Sequence, residues 1–487
     1  MAAKGSQNWQ AATAGTYGDR SLPRGAAALF LAAALVMAVL PFAAMAWAPA
    51  DEATANQKLA PLPALQAEEG GPNLDYLSQL GEYFDDHFGY RDGLITANAR
   101  LRALLGTSAT DQVVLGTDGW LYYGGTLPDY LGKSRLPERS LAAIAHNLAL
   151  AQDYAEGLGA SFAFTIAPDK NSLWPDAMPY YYLRSTEPGN AERLKPYLQE
   201  AGVNYVDLFA LLEGTLAAGE PIHYLKTDSH WDNYGALLAA DALMEALGRE
   251  PVGAALEDGR WQPGAVGDLQ AMLYPADAAR EDNWFLPGYN DGGDFAGSLW
   301  EYTEGAAVTD SRVRTAATGD AEGRLLMFRD SFGNALLPYG AASFGEASFT
   351  KMIPYDVGQA AALEATAVVI ERAERHIDFL ATDPPVFPSP TVDASSVAGK
   401  APVAAEAALE WDGSYQVVRG TMDFVPSSAA DRVTVVAVLP DGSAYGFDPF
   451  WVGPDADGDA GDSMEFMLYV PDSQIALEGA DFRVYAG

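Results

Sequence analysis

Apolar positions recur at two spacings along this chain, and the spacing changes where the architecture should change. Leu74, Tyr76, Leu77, Leu80, Tyr83 and Phe84 fall on one helical face, so a helix is expected there. Val113-Val114-Leu115 runs into Gly116-Thr117-Asp118-Gly119 and then Trp120-Leu121-Tyr122-Tyr123. An apolar run, a Gly/Asp turn and an aromatic run predict a hairpin. From about residue 138 the two spacings alternate. Helical periodicity covers Ser140 to Leu158, Ala191 to Glu200 and Asp232 to Leu247, with a further helix from about Asn334 and another over Arg372 to Leu380. Buried-strand runs cover Phe162 to Ala167, Val203 to Leu208, Arg324 to Phe328, Phe349 to Pro354 and Ala367 to Ile370. Strands alternating with helices of this length predict an α/β fold: a mostly parallel sheet with helices on both faces. Residues 251 to 323 are Gly/Asp-rich and without period, and are expected to decorate the sheet rather than extend it.

The pattern changes again after Asp383-Pro384-Pro385. Tyr415 to Phe424, Arg432 to Leu439, Met464 to Val470 and Phe482 to Tyr485 alternate with turns such as Asp441-Gly442, which predicts a small C-terminal all-β sandwich. At the other end, Gly25 to Ala48 carries no charge over 24 residues, longer than the roughly 20 apolar residues that span a bilayer. Lys4, Arg20 and Arg24 precede it and Asp51 and Glu52 follow. The positive-inside bias then keeps the N-terminus cytoplasmic and the main body outside. A cleaved signal peptide, cut near Ala44-Met45-Ala46, leads to the same side. The expected division is a cytoplasmic tail (1–24), a transmembrane anchor (25–48), a stalk (49–73), an α/β domain (74–383), a linker (384–409) and the sandwich (410–487).

Composition narrows the partners. The chain has 66 acidic against 29 basic residues, a formal charge of -37 spread along its length, and such a surface repels nucleic acid. With no cysteine, disulfides, thiolate metal sites and a cysteine nucleophile are excluded. The acidic stretch from Asp455 to Asp462 has Ala460 where an EF-hand needs Gly and Phe466 where it needs Glu, so it reads as a solvated turn rather than a calcium loop. Trp411, Tyr415, Phe450 and Trp451 read as sandwich core rather than a sugar-stacking face.

Two short stretches carry the reactive groups: Asp228-Ser229-His230-Trp231 and Arg329-Asp330-Ser331-Phe332. A serine hydroxyl needs an imidazole to take its proton, and the imidazole needs a partner that fixes its tautomer. Ser331 follows a predicted strand and opens a helix, where N–H groups can stabilise an oxyanion. Lys170 and Asn171 follow another strand and can line the same crevice. In an extended segment Asp228 and His230 project to one side. The plainer alternatives are an N-cap at Asp330-Ser331 and a hydrogen-bonded core histidine at His230. A metal site from His223, Asp228 and His230 matches no metalloprotease spacing. No cofactor and no metal are expected.

Six blocks in order carry a resemblance: Phe88 to Asp92, Val113 to Tyr123, Pro168-Asp169-Lys170, Thr227 to Trp231, Arg329 to Gly333, and Ile370 to Arg375. Together they resemble SGNH-hydrolase-like proteins of the AlgX/AlgJ type, a group that includes alginate O-acetyltransferases and the DHHW-type proteins. The resemblance implies an SGNH-like fold with Ser331 as nucleophile, His230 as general base and Asp228 as its orienter. The resemblance assigns no oxyanion side chain; Lys170, Asn171, Asn334, Arg329 and the Ser331 N–H are the candidates for oxyanion or substrate binding. It implies O-acetyl transfer to a cell-surface or exported polysaccharide, with a multispanning MBOAT-type acyltransferase as partner. A carbohydrate esterase would use the same residues, and a glycan-binding or assembly protein would use none of them. Two positions depart from the pattern: Arg329 stands where Gly is common, and Ser229 replaces the first His of the DHHW branch.

Overall fold

The computed structural model describes residues 24–45, 59–67, 70–252, 258–291, 294–303, 312–456 and 461–486. Residues 1–23 of the expected cytoplasmic tail, 46–48 of the expected anchor, 49–58 and 68–69 of the expected stalk, and 457–460 of the acidic stretch lie outside these. The chain forms two compact units, one of Met1–Leu104 with Leu273–Asp277, the other of Leu105–Met272 with Ala278–Gly487.

In the first unit Arg24–Ala44 is a 21-residue helix, and Leu29, Phe30, Leu31, Leu35, Val36, Val39 and Leu40 on it are exposed. Judged on the described residues, no helix is long and apolar enough to cross a membrane, so the structure does not establish the expected anchor. Helices follow at Tyr76–His87 and Arg91–Leu104. The first ends where Phe88 turns extended and its N–H bonds back to Phe84. Both helices belong to the first unit.

The second unit opens with the predicted hairpin, β1 (Val113–Leu115) against β2 (Leu121–Tyr123). Its centre is a seven-stranded sheet built from β3 (Ser161–Ala167), β4 (Tyr205–Val206), β7 (Ser298–Thr303), β8 (Arg312–Ala317), β9 (Arg324–Phe328), β10 (Glu346–Thr350) and β11 (Ala367–Ala373). A separate hairpin pairs β5 (Arg260–Val266) with β6 (Arg280–Phe285). The sheet order is β4-β3-β11-β9-β10-β8-β7. The first five strands run parallel, while β8 and β7 add on antiparallel. Successive side chains of a strand face opposite ways, and the two cores follow that rule. Phe162, Phe164, Leu326, Phe328, Val368 and Ile370 pack with the helices Glu138–Gly157 and Asn190–Ala201. Ala163, Leu325, Met327 and Val369 pack with Leu208–Ala217 and Asn233–Ala246 on the other face.

Two expectations need correcting. Residues 251 to 323 do extend the sheet, through β7 and β8. The helix expected at Arg372 to Leu380 is instead the end of β11, a 3-10 turn at Glu374–His376 and a single turn of α-helix at Phe379–Thr382. The charged pair Glu371-Arg372 hides a fully buried strand, because Glu371 accepts the Asp330 N–H at 3.0 Å.

The C-terminal module is a sandwich of two four-stranded sheets. It begins earlier than expected, since Thr391–Val392 pairs with Ala444–Phe447 and Ala405–Trp411 with Gln416–Met422. Phe450 and Trp451 are fully buried as expected, but Trp411 is 56% exposed on an edge strand. The helix Glu138–Gly157 is covered on both sides. Ile144 and Leu148 meet the sheet, while Ala142 and Ala143 meet the sandwich.

Candidate active site

Strands β3, β9 and β11 are parallel, so the segments that follow them leave the sheet at one rim, where ligands of such sheets bind. After β9 the chain turns through Arg329, Asp330 and Ser331 into Phe332–Leu336 and the helix Leu337–Ser343. A Cβ at Gly333 would collide with Arg329 and Glu371, so this turn closes only with glycine there. The Asp330 carboxylate accepts the N–H groups of Phe332 (2.9 Å) and Ala373 (2.8 Å), tying the turn to β11. Burial alone would raise this carboxyl. His376 at 3.5 Å, the Arg375 charge and the Ala373 N–H outweigh it and hold Asp330 below the usual carboxylate range. Ser331 makes no side-chain cap to the helix. Its hydroxyl lies 2.8 Å from His230 Nε2.

His230 sits just before the helix Asn233–Ala246, whose N-cap Asp232 accepts the Gly235 N–H at 2.7 Å. Asp228 Oδ1 accepts from His230 at both Nδ1 (2.7 Å) and the backbone N–H (3.0 Å). Burial pushes Asp228 up, but the hydrogen bond and charge of His230 prevail and hold it low. The two stretches are locked together by their aromatic neighbours. Trp231 Nε1 donates to the Phe332 carbonyl at 3.1 Å, and the Phe332 ring stands edge-on to His230, centroids 4.9 Å apart. Asp228, His230 and Ser331 therefore form one continuous hydrogen-bonded line. His223 lies elsewhere, bonded to Glu220 at 3.2 Å.

The other expected site residues divide. Lys170 is 3% exposed, and its ammonium donates to the carbonyls of Leu225 (2.9 Å), Lys226 (3.2 Å) and Asp228 (2.6 Å). Burial pushes it down to about 7, while Asp228, Glu281 and Asp268 pull the other way. Arg329 is buried and donates to the Asp330 carbonyl (3.1 Å) and Asn334 Oδ1 (2.5 Å). Both cations thus spend donors on the protein itself. Asn334 is exposed. Asn171 is buried with an unpartnered Nδ2 among the described residues.

Two acidic groups escaped sequence reading. Glu281 on β6 accepts the N–H groups of Lys226 and Thr227 and the Thr227 hydroxyl. Asp268 accepts the Ser229 N–H at 2.7 Å and its hydroxyl at 2.5 Å, while its own N–H donates to Asp228 Oδ2 at 2.9 Å. Burial, then the Asp228 charge, pushes Asp268 up. Ligand atoms of Asp228, His230 and Asp268 lie within 4.8 Å of one another, a donor set already engaged in these internal hydrogen bonds. The only sequence signal for either acid was their place in a Gly/Asp-rich stretch.

Residues 113–283 match the family described as the SGNH hydrolase-like domain of the acetyltransferase AlgX. The resemblance is to the AlgX/AlgJ type of SGNH hydrolase-like protein. A probable alginate O-acetylase AlgJ of Pseudomonas putida is 29% identical over 143 residues, covering 28% of this chain and 34% of the relative. Its counterpart in Pseudomonas syringae pv. tomato is 29% identical over 171 residues, covering 34% and 41%. The chain thus spans less than half the length of either AlgJ relative. Among solved structures, Bacillus cereus PatB1 aligns at 19% identity over 55% of this chain and 98% of that one, with a TM-score of 0.42. The AlgX-type match reaches from β1 to β6 and so includes Asp228, His230, Asp268 and Glu281.

Proposed function

We propose that this chain is a membrane-anchored, extracytoplasmic serine O-acetyltransferase acting on a polysaccharide. One observation carries the reading: Asp228 Oδ1, His230 Nδ1, His230 Nε2 and Ser331 Oγ stand in line at 2.7 and 2.8 Å. In the first step His230 Nε2 takes the Ser331 proton as the oxygen attacks the acetyl carbonyl. The donor's leaving group departs with that proton, and acetyl remains as a serine ester. In the second, His230 takes the proton of a sugar hydroxyl, the sugar oxygen attacks the ester, and Ser331 recovers its hydrogen. The Ser331 N–H and the Asn171 amide are the oxyanion donors of this scheme, and Asn334 is the exposed group beside it for substrate.

Polysaccharide as acceptor is supported by the AlgX-type match and the AlgJ relatives named as probable alginate O-acetylases. The extracytoplasmic placement rests on the uncharged run from Gly25 to Ala48, the basic residues before it and the exposed apolar side chains of Arg24–Ala44. An exported acyl-serine needs a source of acetyl groups on the outer face, and an MBOAT-type membrane acyltransferase is the partner proposed. A second reading, ester hydrolysis, is favoured by one feature: His230 and Asp228 are 23% and 15% exposed, so water reaches the pair.

The test is to incubate the full chain with 4-nitrophenyl acetate, with and without alginate oligosaccharides, beside Ser331→Ala. Acetylated sugar from wild type alone supports transfer. Acetate release indifferent to sugar supports the esterase. Equal behaviour of wild type and Ser331→Ala rejects both.

A further inference from the structure

His230 Nδ1 has two side-chain oxygens within hydrogen-bonding distance. Asp228 Oδ1 is 2.7 Å away and the Ser229 hydroxyl 3.2 Å. A hydroxyl carries one hydrogen, and Ser229 has a nearer and stronger acceptor for it, Asp268 Oδ2 at 2.5 Å. Its oxygen is thereby left to face the Nδ1 proton as an acceptor. The ring of contacts closes on itself, because the Asp268 N–H donates to the second oxygen of Asp228 at 2.9 Å. Asp268 is itself fixed by the N–H groups of Ser229 and Leu269, each at 2.7 Å. Its carboxylate stands 3.7 Å from His230 Nδ1.

We propose that Ser229 and Asp268 are positioning residues for His230, with Asp268 orienting the Ser229 hydroxyl so that its oxygen is a second acceptor for the Nδ1 proton. This rests on the acyl-transfer reading of Ser331. The arrangement holds the imidazole in the tautomer that leaves the Nε2 lone pair on Ser331. When Nε2 takes the serine proton the ring carries a positive charge, and Nδ1–H keeps its hydrogen throughout. Asp228 stabilises that charge directly, and Asp268 does so through the polarised hydroxyl. Asp268→Asn reverses the last link: an amide N–H donates to Ser229, and the hydroxyl hydrogen is turned towards Nδ1. Asparagine still offers an oxygen to the Ser229 and Leu269 N–H groups, so the turn can be kept while the polarity is lost.

Two rates on the full chain test this: turnover of 4-nitrophenyl acetate, and sulfonylation of Ser331 by phenylmethylsulfonyl fluoride followed by intact mass. Ser229→Ala and Asp268→Asn should each lower kcat and the sulfonylation rate about tenfold, less than the roughly hundredfold or more that a general base itself contributes, with KM within about twofold. Ser229→Thr, which keeps the hydroxyl, should restore most of the loss. The double variant should be no slower than the slower single one, because Asp268 acts only through that hydroxyl. Wild-type rates in Ser229→Ala, a multiplied loss in the double variant, or a lowered melting temperature with unchanged rates would each overturn the proposal. Ser331→Ala separates it from the reading beneath it. If that variant loses both signals while Ser229→Ala and Asp268→Asn keep them, only the positioning role falls. If it keeps both, the acyl-enzyme reading falls first.

Discussion

At the scale of single residues, the groups behind Ser331 matter as much as those in front of it. Glu371 is fully buried on β11, holds the Asp330 N–H through one oxygen, and among the described residues has no hydrogen-bond partner on the other. Burial, then the Asp330 charge, pushes its carboxyl well above the ordinary value. The native state therefore keeps this proton to higher pH than the unfolded chain does. Its stabilising contribution is complete below the unfolded value of about 4.3 and is lost as pH rises through the folded one. Glu371→Gln keeps the acceptor and removes the ionisation. Urea unfolding between pH 5 and pH 9 should show the wild type losing stability relative to this variant as pH rises; parallel curves would contradict the assignment. The hydrogen-bonded trio of Asp228, His230 and Ser331 was legible in sequence because its three members occupy two short stretches flanked by aromatic residues. Glu371 was not, because a buried acid beside Arg372 reads as the polar face of a helix.

At the scale of elements, the segment that bears Asp228 and His230 has almost no regular structure of its own. Its carbonyls are held by Lys170, its N–H groups by Glu281 and Asp268, and Leu121 of β2 donates to Lys226 at 3.0 Å. The elements that carry these residues are the turn after β3, the β5–β6 hairpin and the helix Asp268–Leu273. The alternation of helices and strands was readable because each had a core to face on one side or both. The β5–β6 segment was not, since only Trp284 and Leu286 enter the core while Glu281 serves the loop, too few apolar positions to show a period. Gly267 packs directly against this segment, because a Cβ there would collide with the Thr227 carbonyl. Gly267→Ala must shift the loop, and a displacement of about 1 Å in a catalytic group costs about a hundredfold. Its kcat should fall by one to two orders of magnitude, whereas Gly157→Ala, with nothing within 4 Å of the new carbon, should leave kcat unchanged. Equal kcat in the two variants would show that the loop does not depend on this contact.

At the scale of the α/β body and its sandwich, the two modules share the helix Glu138–Gly157. Asn147 donates to the Trp451 carbonyl at 2.8 Å and accepts its N–H at 2.9 Å, and the His146 ring stacks on Trp451 with centroids 3.8 Å apart. Ser140 adds a bond to the Pro454 carbonyl at 2.7 Å. These polar groups stand in the middle of a buried helix because they satisfy the backbone of the sandwich strand at Phe450–Val452. The sequence showed two modules but not this docking, since a helix apolar on two faces carries no label for which module each face meets. Asn147→Leu leaves a buried N–H and carbonyl unpaired, at about 1–3 kcal/mol each. Calorimetry should show the α/β body and sandwich melting together, at a temperature several degrees lower in the variant. An unchanged melting temperature would show that the docking contributes little.

The central claim is that Ser331 carries the acyl group, and one measurement reaches it directly. The full chain is treated with 4-nitrophenyl acetate in the absence of sugar, quenched in acid, digested and mapped by mass spectrometry. The account predicts one acetyl group on the peptide containing Ser331, absent from Ser331→Ala, greatly slowed in His230→Ala, and removed from the wild type when alginate oligosaccharides are added before quenching. Acetyl on other residues only, or the same labelling in Ser331→Ala, would contradict it.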